Sequence, residues 1–231
     1  MAFPENSTVV VAHGAWADGS SWNEVILLLN KKGLQVVAAP LPLTSLSDDV
    51  VALNRTIART NGPVIVAGHA YAGAVIAAAN DERVKALVYV AALAPEEGET
   101  VAQVFYRDKA HPQAPKLAPD KDGWIWMPEE GFSNAFAHRA TADQIAVSKA
   151  VQRPIALKCI QEPAPKPAWR SKPSWFLIAE EDRMINPKTQ HFMANRMRAR
   201  THTFAVDHTP LLTAPETVLE VVIAAAQETL S

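Results

Sequence analysis

The chain has a single cysteine, Cys159, in 231 residues. An internal disulfide is therefore excluded, and so is a metal site built from clustered cysteines. Charge of one sign is lacking too: 22 Lys and Arg stand against 24 Asp and Glu, a formal net charge of -2. That balance gives no footing to nucleic acid or to an anionic membrane as partner. No apolar run approaches the length that spans a bilayer. The first residues, MAFPENSTVVV, lack a basic stretch followed by a long apolar one, so no signal peptide is expected. There is no internal repeat. These absences lead to the expectation of a cytoplasmic protein of one domain, residues 1–231, with no cofactor and no metal. The lone cysteine fits a reducing compartment. A homo-oligomer is left open.

What is present is a core-forming composition, 48% hydrophobic and 20% charged, ample for a domain of this size. The first ninety or so residues alternate strand and helix. Apolar runs at Thr8–Ala12, Leu34–Ala39, Val64–Val66 and Val84–Ala92 read as buried strands. Helical spacing covers Trp22–Lys32, which Gly33 ends. A second helix opens at Ser47-Asp48-Asp49, with its acids at the positive end, and runs to about Thr60. Composition changes at Pro95: ten of the 17 prolines lie between Pro95 and Pro173. Helical stretches at Pro128–His138 and Thr141–Val151 punctuate this section. It reads as a cap, about residues 95–170, inserted over the sheet's edge. The rhythm then resumes with a strand at Ser174–Ala179, a helix at Pro187–Arg200, a strand at Thr201–Val206 and a helix at Pro215–Leu230. The expected fold is α/β, a mostly parallel sheet with helices on both faces.

The stretch from Val64 to Ala79, VIVAGHAYAGAVIAAA, organises the rest. Strand, sharp turn and small-residue helix form the frame of a nucleophile elbow, G-x-S-x-G. Here the frame reads Gly68-His69-Ala70-Tyr71-Ala72-Gly73. The last absence is the most telling: position 70 holds alanine where the nucleophile belongs. An elbow holds its central residue in a strained conformation costing about 1–3 kcal/mol. Such a turn makes sense where its tip does chemistry, and a methyl group has none to offer.

Three positions fall just past three strand ends: Ala70, Asp182 and His208. Ligand sites of open parallel sheets lie at those carboxyl ends. The order nucleophile, acid, histidine is that of the α/β-hydrolase triad, in which the imidazole moves the proton and the carboxylate fixes its tautomer. Asp182 is preferred over Glu180, Glu181 and Asp207 because it begins the turn Asp182-Arg183-Met184-Ile185. Asp207, beside His208, reads as a loop brace. The amides of Ala15, after the first strand, and of Tyr71, after the elbow tip, are the candidate oxyanion donors. Trp16, Tyr71, Trp124 and Trp126 are the candidate lining of an apolar substrate pocket. His13 and His69 read as loop braces, and Cys159 as buried packing.

With those residues in view, the chain resembles the α/β-hydrolase superfamily over nearly its whole length. It is most similar to small bacterial esterase-like hydrolases related to the plant methylesterase and hydroxynitrile lyase group. The matching stretches are HGAWADGSSW, PLTSLSDDV, GHAYAGAVI, ALVYVAALAP, AWRSKPSW, EEDRMINP and the Asp207-His208 pair. The resemblance implies a cofactor-free hydrolase of small apolar carboxylic esters or lactones, with a helical cap. The family places serine where this chain has Ala70 and glycine where it has Ala72. An intact acid and base beside a missing hydroxyl read as a serine-to-alanine replacement that impairs turnover. The alternatives are a natural pseudoenzyme that binds a small ligand, and a lyase or cofactor-free oxygenase using His208 as base. The lyases of the group carry a threonine just after the first strand and a lysine after the histidine. Gly14 and Thr209 occupy those places here.

Overall fold

The computed structural model describes residues 3–230. The N-terminal half runs β1 (Thr8–Ala12), α1 (Asn23–Lys31), β2 (Gln35–Ala39), α2 (Leu46–Ala58), β3 (Val64–His69), α3 (Ala72–Ile76) and β4 (Val84–Val90). A long crossover follows, with α4 (Val101–Phe105), β5 (Trp124–Ile125), α5 (Glu129–Gly131), α6 (Ala142–Ala150), β6 (Ile155–Ala156) and α7 (Leu157–Gln161). The chain then returns to the sheet with β7 (Ser174–Ala179), α8 (Pro187–Met197), β8 (Arg200–Phe204), α9 (Pro210–Thr213) and α10 (Pro215–Thr229).

Six strands form one sheet in the order β2-β1-β3-β4-β7-β8, and every neighbouring pair is parallel. The two-residue strands β5 and β6 pair antiparallel outside it. Parallel strands are buried on both faces, which explains their nearly unbroken apolar sequence. Alternate residues supply the two halves of the core. Val10, Val64, Val66, Leu87, Tyr89, Phe176 and Ile178 pack on the face that carries α2, α3 and α8. Val9, Val11, Ile65, Val88, Trp175 and Leu177 pack on the face of α1 and α10.

Five of the six sheet strands fall within two residues of their expected bounds, and β3 runs three residues past Val66. α1, α6 and α10 fall within one residue of theirs, and the other helices differ more. Ser45, not Ser47, caps α2, its hydroxyl accepting from the Asp48 amide at 3.0 Å. The stretch 128–138 is not one helix. α5 lasts three residues and passes into a π turn, Phe132–Phe136, whose two aromatic rings both turn inward, edge to face at 5.4 Å. The segments α4 and α7 have five residues each, too few to show a helical period in the sequence.

Backbone hydrogen bonds tie the crossover to the sheet. Trp16 donates to the Arg153 carbonyl at 3.0 Å, Ala156 to Leu43 at 2.9 Å and Ala168 to Ala77 at 2.6 Å. Among the described residues, no helix is long and apolar enough to cross a membrane, and no three His, Cys, Asp or Glu side chains gather as a metal site would require.

Candidate active site

β3 runs without a break into the turn at Ala70, which adopts φ +50°. This left-handed conformation is unfavourable for any residue with a Cβ. Three hydrogen bonds hold it. The Ala70 amide donates to Val90 at 3.2 Å, and its carbonyl accepts from Gly73 at 3.1 Å and from Leu93 at 2.9 Å. A Cβ on Gly73 would run into the Leu93 carbonyl, so only glycine lets α3 leave the turn at this angle. Gly14 plays the same part for the loop after β1. A Cβ there would lie 3.1 Å from the Ala70 methyl and 3.2 Å from His69 Nδ1.

The turn after β7 carries Asp182, buried to 2% exposure. Its Oδ1 accepts from the amides of Met184 at 2.7 Å and Ile185 at 2.9 Å. Its Oδ2 accepts from Gln190 Nε2 at 2.8 Å and faces His208 Nδ1 at 2.8 Å. A carboxylate accepts and cannot donate, so the imidazole carries its proton on Nδ1. Nε2 then presents a lone pair, with no protein partner among the described residues, to the cavity that His208 lines. The ring is held between neighbours: Phe136 at 5.5 Å and His69 at 4.9 Å between centroids.

His69 Nε2 lies 2.7 Å from the His208 carbonyl and therefore donates to it. The elbow strand thus grips the backbone of the histidine loop directly. Burial, and then the facing His208, push the His69 imidazole well below the usual histidine value, which keeps it neutral. His13 Nδ1 lies 2.9 Å from the Gly14 carbonyl and donates to it, bracing the loop after β1. Asp207 braces the other loop. It accepts from Thr213 Oγ1 at 2.5 Å and from the Arg139 amide at 3.0 Å.

Ala70, Ala15, Tyr71, Trp16 and His208 all line one cavity, whose remaining wall is apolar. The amides of Ala15 and Tyr71 donate to no acceptor among the described residues. Unpaired buried amides are uncommon in proteins, and these belong to two residues that line the same cavity. Trp16 is fixed there by its indole N–H, which donates to the Ile125 carbonyl at 2.9 Å.

Trp124 and Trp126 do not join the cavity; Ile125 between them does. Successive residues of an extended segment face opposite ways, so an inward Ile125 sends both neighbours outward. Trp126 is 50% exposed. The cavity wall is supplied instead by Val101, Phe105 and Tyr106 from the first part of the crossover, and by Phe136, Ile155 and Ile160 later in it.

Two polar groups escaped the sequence reading. Gln190 on α8 ties Asp182 to the Ala179 amide, which donates to Gln190 Oε1 at 3.0 Å. Asp49 on α2 is fully buried and accepts from Tyr71 Oη at 2.6 Å, the Leu43 amide at 2.7 Å and Cys159 Sγ at 3.8 Å. Burial pushes the Asp49 carboxyl up to about 6, against the lowering effect of the Tyr71 hydroxyl and the Leu43 amide. Asp49 had a signal. With Leu46, Leu53, Thr56 and Ile57 it lies on the buried face of α2, and an acid on such a stripe needs a partner.

Solved structures share this architecture. Polyneuridine aldehyde esterase aligns with TM-score 0.82 at 15% identity, covering 95% of this chain and 99% of its own. A methylesterase from Arabidopsis aligns with TM-score 0.79 at 15% identity, covering 96% and 99%. A pyrethroid hydrolase from Sphingobium faniae aligns with TM-score 0.77 at 18% identity, covering 96% and 97%. At such identities the likeness is one of fold. No curated protein matches the chain by sequence. The model of the alpha/beta hydrolase family matches residues 9–221, nearly the whole length, and the chain belongs to that family.

Proposed function

We propose that this is the site of a carboxylic ester or lactone hydrolase of the Ser-His-Asp type, with alanine standing in the nucleophile's place. The observation that carries the reading is the His208–Asp182 pair at 2.8 Å, opening on the same cavity as a left-handed residue 70. The structural neighbours, an esterase, a methylesterase and a pyrethroid hydrolase, agree with it. The substrate is small and apolar, because the cavity wall is. The segment of about residues 95–170 acts as the cap of a single domain.

In a form with serine at 70, the hydroxyl attacks the carbonyl carbon and its proton passes to His208 Nε2. Asp182 holds the imidazolium so formed. The amides of Ala15 and Tyr71 receive the oxyanion, each such donor being worth roughly 3–4 kcal/mol in the transition state. The imidazolium protonates the departing alkoxide, and water releases the acyl group by the reverse sequence. With alanine at 70 the first step has no nucleophile, so the chain binds its ester and turns it over poorly.

Ala70→Ser is the test. Hydrolysis of p-nitrophenyl acetate rises by about four to six orders of magnitude, the range over which a lost serine silences such sites. A serine variant that folds, binds an ester and leaves it whole overturns the hydrolase reading in favour of a ligand-binding protein.

A further inference from the structure

The cavity contains a base with no acid of the protein to work on. His208 Nδ1 is committed to Asp182, so its Nε2 lone pair faces inward. Ala70, which lines the same cavity, presents a methyl group, which neither gives nor takes a proton. Apart from the phenols of Tyr71 and Tyr106, His208 is the one ionisable side chain of the lining. Tyr71 spends its hydroxyl on Asp49 at 2.6 Å, and Tyr106 is 61% exposed. The same cavity is lined by Ala15 and Tyr71, whose amides have no acceptor among the described residues. A base beside a receptor for developing negative oxygen is the machinery for removing a proton next to a carbonyl.

We propose that the chain, with alanine at 70, enolises carbonyl compounds. The ligand's carbonyl oxygen sits on the Ala15 and Tyr71 amides, with its α-carbon toward His208. Nε2 takes the α-proton, so a C–H bond breaks and an N–H bond forms. The electron pair moves into the new C=C bond, and the carbonyl π pair moves to the oxygen held by the amides. The imidazolium, steadied by Asp182, returns a proton to the same carbon. Nothing is oxidised, nothing leaves, and no co-reactant is needed. A serine hydroxyl at 70 would bring a competing acid onto the same cavity; the methyl leaves the α-carbon as the acid available to the base.

The lining selects the ligand. No Asp, Glu, Lys or Arg side chain faces the cavity, so a carboxylate or phosphate is not accommodated. Trp16, Phe105 and Phe136 offer aromatic faces and edges. The class is a neutral ketone or ester whose α-carbon bears an aryl group, which also makes the α-proton acidic enough for an imidazole base. The proposal rests on the reading that His208 and the two amides form one site, and it is independent of ester cleavage.

Phenylacetone is the probe, since a ketone cannot be hydrolysed. The unaltered chain is incubated with it in D2O, and loss of the benzylic proton signal is followed by NMR. Exchange runs about 10²–10⁴-fold faster than with the same concentration of heat-denatured protein, the usual contribution of a placed general base. It is lost in His208→Gln, whose thermal unfolding and circular dichroism are checked against the native chain. It slows in Ala70→Ser, while ester hydrolysis appears. Exchange no faster than the denatured control overturns the proposal, as does exchange that survives in folded His208→Gln. Ester hydrolysis by Ala70→Ser with no ketone exchange in the native chain removes this inference and spares the hydrolase reading. The converse pair of results removes the hydrolase reading alone.

Discussion

Two buried carboxylates reach the cavity, each through one intermediary: Asp182 through His208, and Asp49 through Tyr71. Both lie behind the cavity wall, with 2% and 0% exposure. They are served very differently. Asp182 faces four nitrogen groups at 2.7–2.9 Å, two of them amides of its own turn. Asp49 receives one amide, one phenol and a distant thiol, with the charge of Asp48 beside it, and its carboxyl rises to about 6. Equal burial therefore does not mean an equal supply of donors. The turn that begins at Asp182 aims two of its own amides at the carboxylate, whereas Asp49, in the first turn of α2, accepts from one amide only.

The comparison breaks most visibly at Asp182. Asp182→Ala leaves the Met184 and Ile185 amides, the Gln190 amide and His208 without their acceptor. Each buried orphan costs about 1–3 kcal/mol, so the loss is on the order of 4 kcal/mol or more. Urea unfolding with an unchanged m-value measures it. Asp182→Asn keeps Oδ1 for the two amides and sets an NH2 group against His208, and costs less. If Asp49→Ala proves equally damaging, the number of donors is not what separates the two sites.

Much of this arrangement is legible in the chain before folding. The strands announce themselves because burial on both faces demands unbroken apolar runs, and strand ends place Ala70, Asp182 and His208 at one edge. The elbow is legible because its steric needs are local: Gly68, Ala72 and Gly73 must be small whatever surrounds them. The crossover is legible only at α6, which falls within the expected Thr141–Val151. Its other elements, of two to five residues, carry no period, and the inward face of Trp124-Ile125-Trp126 depends on β6, thirty residues away. Aromatic bulk pointed to the tryptophans, and pairing geometry chose the isoleucine. Asp49 was hidden by a neighbour with the same side chain. Two acids at a helix start both satisfy the dipole rule, but Asp48 faces solvent and bonds Thr44 at 2.7 Å, while Asp49 faces Tyr71.

A second test sharpens the contrast through pH. The Asp49 carboxyl titrates near 6 in the folded chain, above the ordinary value of 3.8 that it regains on unfolding. Between those values the folded state binds the extra proton, so ionised Asp49 weakens the fold as pH rises through about 6, and the penalty fades as pH falls toward 4. At about 1.4 kcal/mol per tenfold change in proton affinity, the ionised form costs on the order of 3 kcal/mol at neutral pH. Asp49→Asn has no such proton to bind. Its stability relative to the native chain therefore climbs between about pH 4 and pH 6 and levels off above 7, by up to about 3 kcal/mol. Denaturant titrations of both proteins at several pH values read this directly. A difference that is flat across the range would mean that burial does not raise the Asp49 carboxyl.

The smallest effect belongs to the phenol that joins Asp49 to the elbow. Tyr71→Phe keeps the ring and the backbone and removes one hydroxyl donor. The bond it deletes is to a charged acceptor at 2.6 Å, so the cost at pH 7 is about 1–3 kcal/mol. Two opposed consequences distinguish this from simple loss of packing. The Tyr71 hydroxyl lowers the Asp49 carboxyl, so its removal moves that titration above 6 and shifts the whole stability–pH curve of the variant upward in pH. A packing defect would lower stability by the same amount at every pH. Adding Asp49→Asn to Tyr71→Phe also abolishes the shift, because the group that titrates is gone. If the single variant's curve keeps its midpoint, the hydroxyl is not what serves Asp49, and the Leu43 amide and the thiol must carry it.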